Sequence, residues 1–337
     1  MNRNKLSKIL GAVVLVVFLF LLPAFWQNVY WISVLVTIGI NIVLTSSLRS
    51  MNLIDHLSLG HVGFALIGAY GSALLVMRLG FSFWETLFMA GFVCSALGLA
   101  LGYPILKVKG MYFCILTILI AESFRLIAFY WRDLTGGTYG LTKIPSPNPI
   151  TIPFIGIIKF ESVTSYYYLV LVIMLLTLLI LYLIEHSYMG TRWRAIRDAE
   201  NLSHAVGINV IWYKMVNFAI ACFFAGISGA VFAHYQHNLS ADFGSRFGVT
   251  MSIYLLTYMV VGGADYFSGP IIGTVVLTLL AELFRPIGEF QPMISGLIAI
   301  LVMLFMPGGL VSLPGRSRKW LRRSKLVRPS NVLNQTK

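Results

Sequence analysis

Apolar runs follow one another along this chain with little polar sequence between them. Ten predominantly apolar stretches lie at 9–26, 28–48, 62–78, 83–105, 111–130, 166–187, 213–235, 249–262, 268–286 and 291–306. About twenty apolar residues carry a helix across the hydrocarbon core of a bilayer, and most of these runs are close to that length. With 58% apolar and 11% charged residues and a mean hydropathy of +0.83, a water-soluble fold would leave a large apolar surface uncovered. The fold class expected is therefore all-α: a polytopic membrane protein with about ten transmembrane helices. Its first run follows Arg3, Lys5 and Lys8 as a signal peptide would. Residues 21–26, LLPAFW, lack the small-x-small cleavage pattern, so the run is retained as a span.

The 25 Lys plus Arg against 12 Asp plus Glu give a net charge of +13. In a soluble protein that excess suggests nucleic acid, but in a membrane protein its placement sets orientation, because cytoplasmic loops collect Lys and Arg. With the amino terminus inside, 18 of the 25 cations fall on inner segments, eight of them in the tail 316–337. This predicts both termini in the cytoplasm and no nucleic-acid partner. It also separates a transmembrane domain, 1–315, from a basic cytoplasmic tail, 316–337.

No enzymatic centre is expected. Cys94, Cys114 and Cys222 are isolated in apolar runs, without disulfide or metal spacing. No Gly-Lys dipeptide occurs, so no phosphate cradle of the Walker type exists in this chain. Gly226-Ile227-Ser228-Gly229 fits the Gly-x-Ser-Gly motif of intramembrane serine proteases, whose serine needs a histidine base from another helix. His234 and His237 instead follow on the same helix, roughly 9–14 Å further along at 1.5 Å per residue. Small-residue packing accounts for the motif. Catalytic and metal-binding residues are thus set at none.

Two stretches outside the spans stand out. The external loop 131–165 holds Pro145, Pro147, Pro149 and Pro153, too many for a helix. On the inner side, 189–210 is polar and charged. At helical spacing Ala195, Ala199, Leu202 and Val206 form one narrow apolar stripe, with Arg194, Arg197, Asp198, Asn201 and His204 on other faces and Gly207 as a stop. This predicts a cytoplasmic amphipathic helix over 192–207. A helix resting on lipid headgroups and a helix docking a soluble partner give the same pattern.

Within the spans, Gly60, Gly63, Gly68 and Gly71 allow either close helix packing or a broken helix that offers Ser58 and His61 to a zwitterionic substrate. Ionisable residues at membrane depth are costly and are candidates for function. Glu122 and Arg125, and likewise Glu282 and Arg285, stand three apart on one helix, so each pair can also simply neutralise itself. The candidate path set is Ser58, Gly60, His61, Gly63 and Glu122.

The stretch SYMGTRWRAIRDAENLSHAVGINVIWYK, with Gly190, Arg194 to Arg197, Asp198, Glu200 and Gly207 to Asn209 in order, resembles the coupling segment of permeases from bacterial ABC importers of branched-chain and related hydrophobic amino acids. It is most similar to the M-type permeases of the leucine, isoleucine and valine system. LSLGHVGFALIGAYGSALL at 57–75, GMYFCILTILIAESFRLIAFYWRDLTGGTYGL at 110–141, MVVGGADYFSGPIIG at 259–273 and LFMPGGL at 304–310 extend the resemblance over nearly the whole chain from about residue 50. Asn52, Asp55, His56 and Asp265 depart from the family pattern, and Leu202 and Ser203 replace the alanines of the general importer signature. The substrate is therefore left open among branched-chain amino acids, urea, short amides and other amino acids.

The resemblance implies a permease in the bacterial inner membrane, paired with a second, related permease. It implies two ABC ATPase subunits that hold the ATP and Mg, this chain holding no cofactor. Those ATPases would couple through Arg194, Arg197, Asp198, Glu200, Leu202, Val206 and Gly207. A periplasmic binding protein would deliver the amino acid to a surface that includes Thr135, Gly136, Gly137 and Gly140. A stand-alone ion-coupled carrier or channel is the competing class, and it would need no docking segment.

Overall fold

The computed structural model describes residues 14, 16–23, 25, 28–152, 156–242, 246–306 and 308–312. Residues 9–13, 15, 24 and 26 of the first expected span and the whole tail 316–337 lie outside them. Six described helices are long and apolar enough to cross a membrane: α1 (Val29–Asn52), α2 (His61–Leu79), α3 (Phe83–Ile105), α4 (Met111–Tyr130), α5 (Val163–Glu185) and α8 (Val210–Gln236). They match six of the ten expected spans to within a few residues. The last three expected spans form α9 (Val249–Gly262), α10 (Gly269–Leu283) and α11 (Gln291–Phe305), of 14, 15 and 15 residues. These are shorter than the roughly twenty residues of a full crossing. The helical expectation is met apart from a small hairpin, β1 (Ile150–Ile152) against β2 (Gly156–Ile158), in the proline-rich loop. That loop also contains a helical turn, Arg132–Thr135.

By contacts the chain divides into two compact units, at Leu256 and Thr257. In the first, α1 and α8 are central and mostly buried, whereas α4 exposes most of its length. A central position explains why α1 carries Asn41, Thr45, Ser46, Ser47, Arg49 and Ser50 without facing lipid. Thr45 donates to the Asn41 carbonyl, Ser47 to Leu44 and Ser50 to Ser47, so these hydroxyls are satisfied within their own helix.

Glycine sets how closely α8 meets its neighbours. A Cβ on Gly229 would lie 1.8 Å from the Ala65 carbonyl of α2, and one on Gly68 would lie 2.3 Å from the Gly226 carbonyl. Lipid tails are as apolar as leucine, so membrane helices gain little from burial alone and associate through such close backbone contact. At Gly98 a Cβ would sit 2.9 Å from Cys222 Sγ. Gly98→Ala should therefore cost about 1–3 kcal/mol through overpacking between α3 and α8, read as a lowered thermal midpoint in detergent. A midpoint equal to wild type would show that the interface has slack.

The two ends of this bundle are built differently. At one, the near end, the connections 53–60, 106–110 and 186–209 come together. At the other, the far end, Ser72 on α2 donates to Thr86 on α3 and meets His234 of α8 at 3.0 Å, while the other ring nitrogen of His234 donates to Pro145 at 2.7 Å. These bonds tie three helices to the proline loop.

In the second unit, a Cβ on Gly273 would lie 1.9 Å from the Tyr258 carbonyl and one on Gly262 would lie 1.9 Å from Gly269. The glycines of the motif at 259–273 thus serve a tight turn and contact between α9 and α10. The sequence-expected pair Glu282–Arg285 forms an ion pair of 2.9 Å.

Candidate coupling surface

The polar run folds as two short helices, α6 (Tyr188–Asp198) and α7 (Glu200–Ala205), where one helix over 192–207 was expected. The break is at Ala199, whose extended backbone (φ −155°, ψ 85°) ends the α6 hydrogen-bond pattern. The angular register restarts there, so the expected stripe of Ala195, Ala199, Leu202 and Val206 does not exist as one face. What packs inward is Gly190, Trp193 and Ile196. Leu202 and Val206 are 64% and 68% exposed.

Why α6 sits where it does follows from three contacts. Ser187 caps its first turn, accepting from the Met189 N–H at 3.2 Å. Gly190 lets α6 turn tightly off α5, since a Cβ there would lie 2.0 Å from the Glu185 carbonyl. Trp193 is fully buried, and its indole N–H donates to the Tyr213 carbonyl at 3.0 Å, pinning α6 to the start of α8. Arg194 adds a bond to the Glu185 carbonyl at 2.8 Å. Glu185 itself receives both arms of Arg49 from α1, at 2.7 and 3.0 Å, in a buried bidentate pair.

Glu200 anchors α7. Its carboxylate reaches Lys109, in the connection between α3 and α4, at 2.6 Å, and the buried Lys214 of α8 at 3.0 Å. Burial by itself raises the Glu200 carboxyl, but the hydrogen bonds and charges of Lys109 and Lys214 outweigh it, leaving the group below the ordinary glutamate range. Gly207 ends α7 in the left-handed region (φ +85°) as expected, and Asn209 then caps α8, accepting from the Trp212 N–H at 3.1 Å. Asp198 is exposed and Arg197 half-buried. The segment is thus held from both sides, and its outer surface presents Leu202 and Val206 together with Asp198, Asn201 and His204.

His56, one of the family departures, lies buried in the same near-end cluster. Its Nδ1 donates to the Ile54 carbonyl at 2.8 Å and its ring meets Phe113 edge-on. Burial holds the imidazole below its ordinary value, with Lys214 adding to the shift and the Ile54 carbonyl opposing it. A depressed folded-state value means that the neutral form is what the fold stabilises. That contribution is complete above about pH 6.5 and is lost as pH falls through the lower folded value. Melting temperatures should therefore fall as the pH drops below about 6.5, and His56→Phe should reduce that slope. An unchanged slope in the variant would remove His56 from the account.

The candidate path residues are close together but tightly packed. Ser58, Gly60 and His61 are buried, and a Cβ on Gly60 would lie 2.3 Å from the Thr117 carbonyl of α4, one on Gly63 2.7 Å from Ala121. His61 Nε2 meets Ser47 Oγ at 2.7 Å, while its Nδ1 is buried without a hydrogen-bond partner among the described residues. Glu122 pairs with Arg125, both carboxylate oxygens facing Nε at 3.0 Å, and Arg125 continues to the Ala241 carbonyl at 2.6 Å. Ser228, from the protease-like motif, donates to the Ile40 carbonyl at 3.1 Å, a helix-packing bond.

Thr135, Gly136, Gly137 and Gly140 form a turn at the far end. All three glycines have positive φ, and a Cβ on Gly140 would lie 1.9 Å from the Leu239 carbonyl. Leu141 and Leu239 exchange backbone bonds of 2.9 and 2.8 Å, so the turn is fastened to the segment after α8, leaving Tyr139 91% exposed.

The sequence reading missed the anchors of the polar segment 188–207. Trp193 and Ile196, three apart, are the bulky apolar residues within α6's charged stretch, and that isolation was the available signal. Arg49–Glu185 and Lys109–Glu200–Lys214 join residues far apart in sequence and had no local signature.

Comparison with known proteins fits this architecture. The family model described as the permease component of branched-chain amino acid transport systems matches residues 28–307. The high-affinity branched-chain amino acid transport system permease protein LivM of Salmonella typhimurium is 30% identical over 298 residues, covering 83% of this chain and 68% of that protein. LivM of Escherichia coli is 29% identical over 297 residues with the same coverage, and the probable LivM of Methanocaldococcus jannaschii 25% over 243 residues, 67% of this chain and 68% of that protein. The related permease LivH of Escherichia coli is 25% identical over 156 residues, 45% of this chain and 49% of LivH. No solved structure matches the chain. With a match extending through all six long helices and the polar segment 188–207, the chain belongs to the family of permease components of branched-chain amino acid transport systems.

Proposed function

We propose that this chain is the M-type permease subunit of an ATP-driven ABC importer for branched-chain or related hydrophobic amino acids. The observation that carries the reading is the family match over 28–307, enclosing a rigidly anchored segment whose outer apolar pair, Leu202 and Val206, is left uncovered. In this reading the near end is cytoplasmic, both termini lie on that side, and ten spans are completed by the segment 9–26 and the helices α9 to α11. Two ATPase subunits, which hold the ATP and Mg, dock on the surface formed by Arg194, Arg197, Asp198, Glu200, Leu202, Val206 and Gly207. A second permease pairs with this one; the similarity of the chain to both LivM and LivH supports a partner of the same fold.

Because α6 is pinned through Trp193 to α8 and α7 through Glu200 to both α8 and the α3–α4 connection, a push on the segment reaches several spans at once. ATPase closure would thus tilt helices between outward and inward access without deforming the segment itself. The turn at Thr135–Gly140 and the protruding Tyr139 face the binding protein at the far end. Ser58, Gly60, His61, Gly63 and Glu122 remain the proposed path, with His61 Nδ1 available to a passing ligand.

Uptake of labelled leucine into vesicles tests the reading. Vesicles containing both permeases, the ATPases and ATP should accumulate substrate, and those lacking the ATPases should show none. Accumulation without them would place the chain among stand-alone carriers, and accumulation of urea or a short amide in place of leucine would move the substrate class.

A further inference from the structure

Along the middle of the first unit, α3, α5 and α8 stand apart and leave an apolar groove of about 540 Å³. Its walls include Leu87 and Phe88 from α3, Val172 and Leu176 from α5, and Phe223 and Ile227 from α8. Along α5 the lining runs from Ser165 to Ile180. At 1.5 Å per residue that is roughly 22 Å, more than the ~15 Å depth of one leaflet. Phe160 closes the far end of the groove and also forms a wall of a second cavity of about 450 Å³, whose mixed lining sets Ser146, Asn148, Lys159 and Glu161 among prolines and Phe81.

The junction between the two is built. Asn148 accepts from the Phe83 N–H at 3.1 Å, its carbonyl accepts from the Trp84 indole at 3.2 Å, and Trp84 packs edge-on against Phe160 with ring centres 5.8 Å apart. Lys159 and Glu161 are exposed at the mouth, and neither forms an ion pair among the described residues.

A long apolar slot inside the membrane-spanning region, bordered at one end across Phe160 by a cup holding one ammonium and one carboxylate, is shaped and charged for an amphipath carrying both signs. We propose that the groove is a binding site for a zwitterionic phospholipid with an ammonium head, the acyl chain lying along α5, the phosphate at Lys159 and the head ammonium at Glu161. An anionic lipid would gain Lys159 but face Glu161. A helix of a partner permease would cover the slot yet leave the two charges of the cup unmatched. The proposal is independent of ATP coupling.

Native mass spectrometry of the full-length permease in mild detergent, titrated with phosphatidylethanolamine and phosphatidylglycerol, tests it. The wild type should retain one phosphatidylethanolamine in preference to phosphatidylglycerol. Leu176→Trp, which fills the slot, should weaken retention by about tenfold, roughly 1.4 kcal/mol. Leu119→Trp, on the exposed face of α4, should leave it unchanged. Lys159→Glu, a surface change that spares the fold, should weaken retention of phosphatidylethanolamine, and Glu161→Lys should turn the preference toward phosphatidylglycerol. Equal retention in Leu176→Trp and Leu119→Trp, or no preference between the two lipids in the wild type, would overturn the proposal. So would cross-linking of Leu176→Cys to a partner permease.

Discussion

Arg49→Met is expected to destabilise the permease by about 3–5 kcal/mol, and Glu185→Leu by a similar amount. The pair is buried, with 4% of the arginine side chain and 10% of the carboxylate side chain exposed, and both oxygens are engaged. Either single change leaves one charge buried without its counter-charge, which is the costly state in a protein interior. The double variant removes both charges and replaces them with apolar groups, so it should recover most of the loss. Thermal melts of the four proteins in detergent give the coupling energy directly. Additive losses in the double variant would show that the two side chains do not act as a pair. The pair matters beyond stability because the Glu185 backbone carbonyl also accepts from Arg194, so α1, α5 and α6 meet at one residue. Loss of this junction should lower uptake even at temperatures where the variant stays folded.

The second large effect concerns Leu202 and Val206. On the proposed docking role, Leu202→Glu with Val206→Glu is expected to abolish ATP-driven uptake, a loss of at least about a hundredfold, because two central contacts of such a surface are each worth about 2 kcal/mol or more. Both side chains are exposed, so insertion should be normal and stability should stay within about 0.5 kcal/mol of wild type. Co-purification of the ATPases with the permease, measured alongside uptake, separates lost docking from lost transmission. Normal uptake and normal co-purification would remove this pair from the docking surface. Trp193→Ala provides the contrast: it should lower stability as well as uptake, since the indole is buried and bonded to Tyr213.

Much of this fold was legible in the order of the residues. The six long helices were readable to within a few residues because a bilayer imposes one length and one composition on anything that crosses it. Gly207 was readable as a helix stop because a left-handed backbone suits glycine with no help from the surroundings. The pairs Glu122–Arg125 and Glu282–Arg285 were readable because three residues along a helix brings side chains together whatever else is nearby. In each case the cause is local.

The polar segment 188–207 went differently. A stripe at i, i+4, i+7 and i+11 presumes an unbroken helix, and the break at Ala199 depends on Trp193 being held by α8 and Glu200 by Lys109 and Lys214. Those partners are 14 to 20 residues away on the carboxyl side, or some ninety on the other. The same holds for Gly60 and Gly63, whose close approach to the Thr117 and Ala121 backbone joins residues more than fifty positions apart.

The sequence alone determined that this chain is a helical membrane protein, where its long spans begin and end, and which family it resembles, because hydrophobic length and motif order are properties of the chain itself. Only the tertiary structure decided which apolar residues of the coupling segment face inward, which charges are paired, and where the helices separate to form a groove. Those outcomes depend on side chains distant in sequence meeting in space, and local spacing carries no record of such meetings.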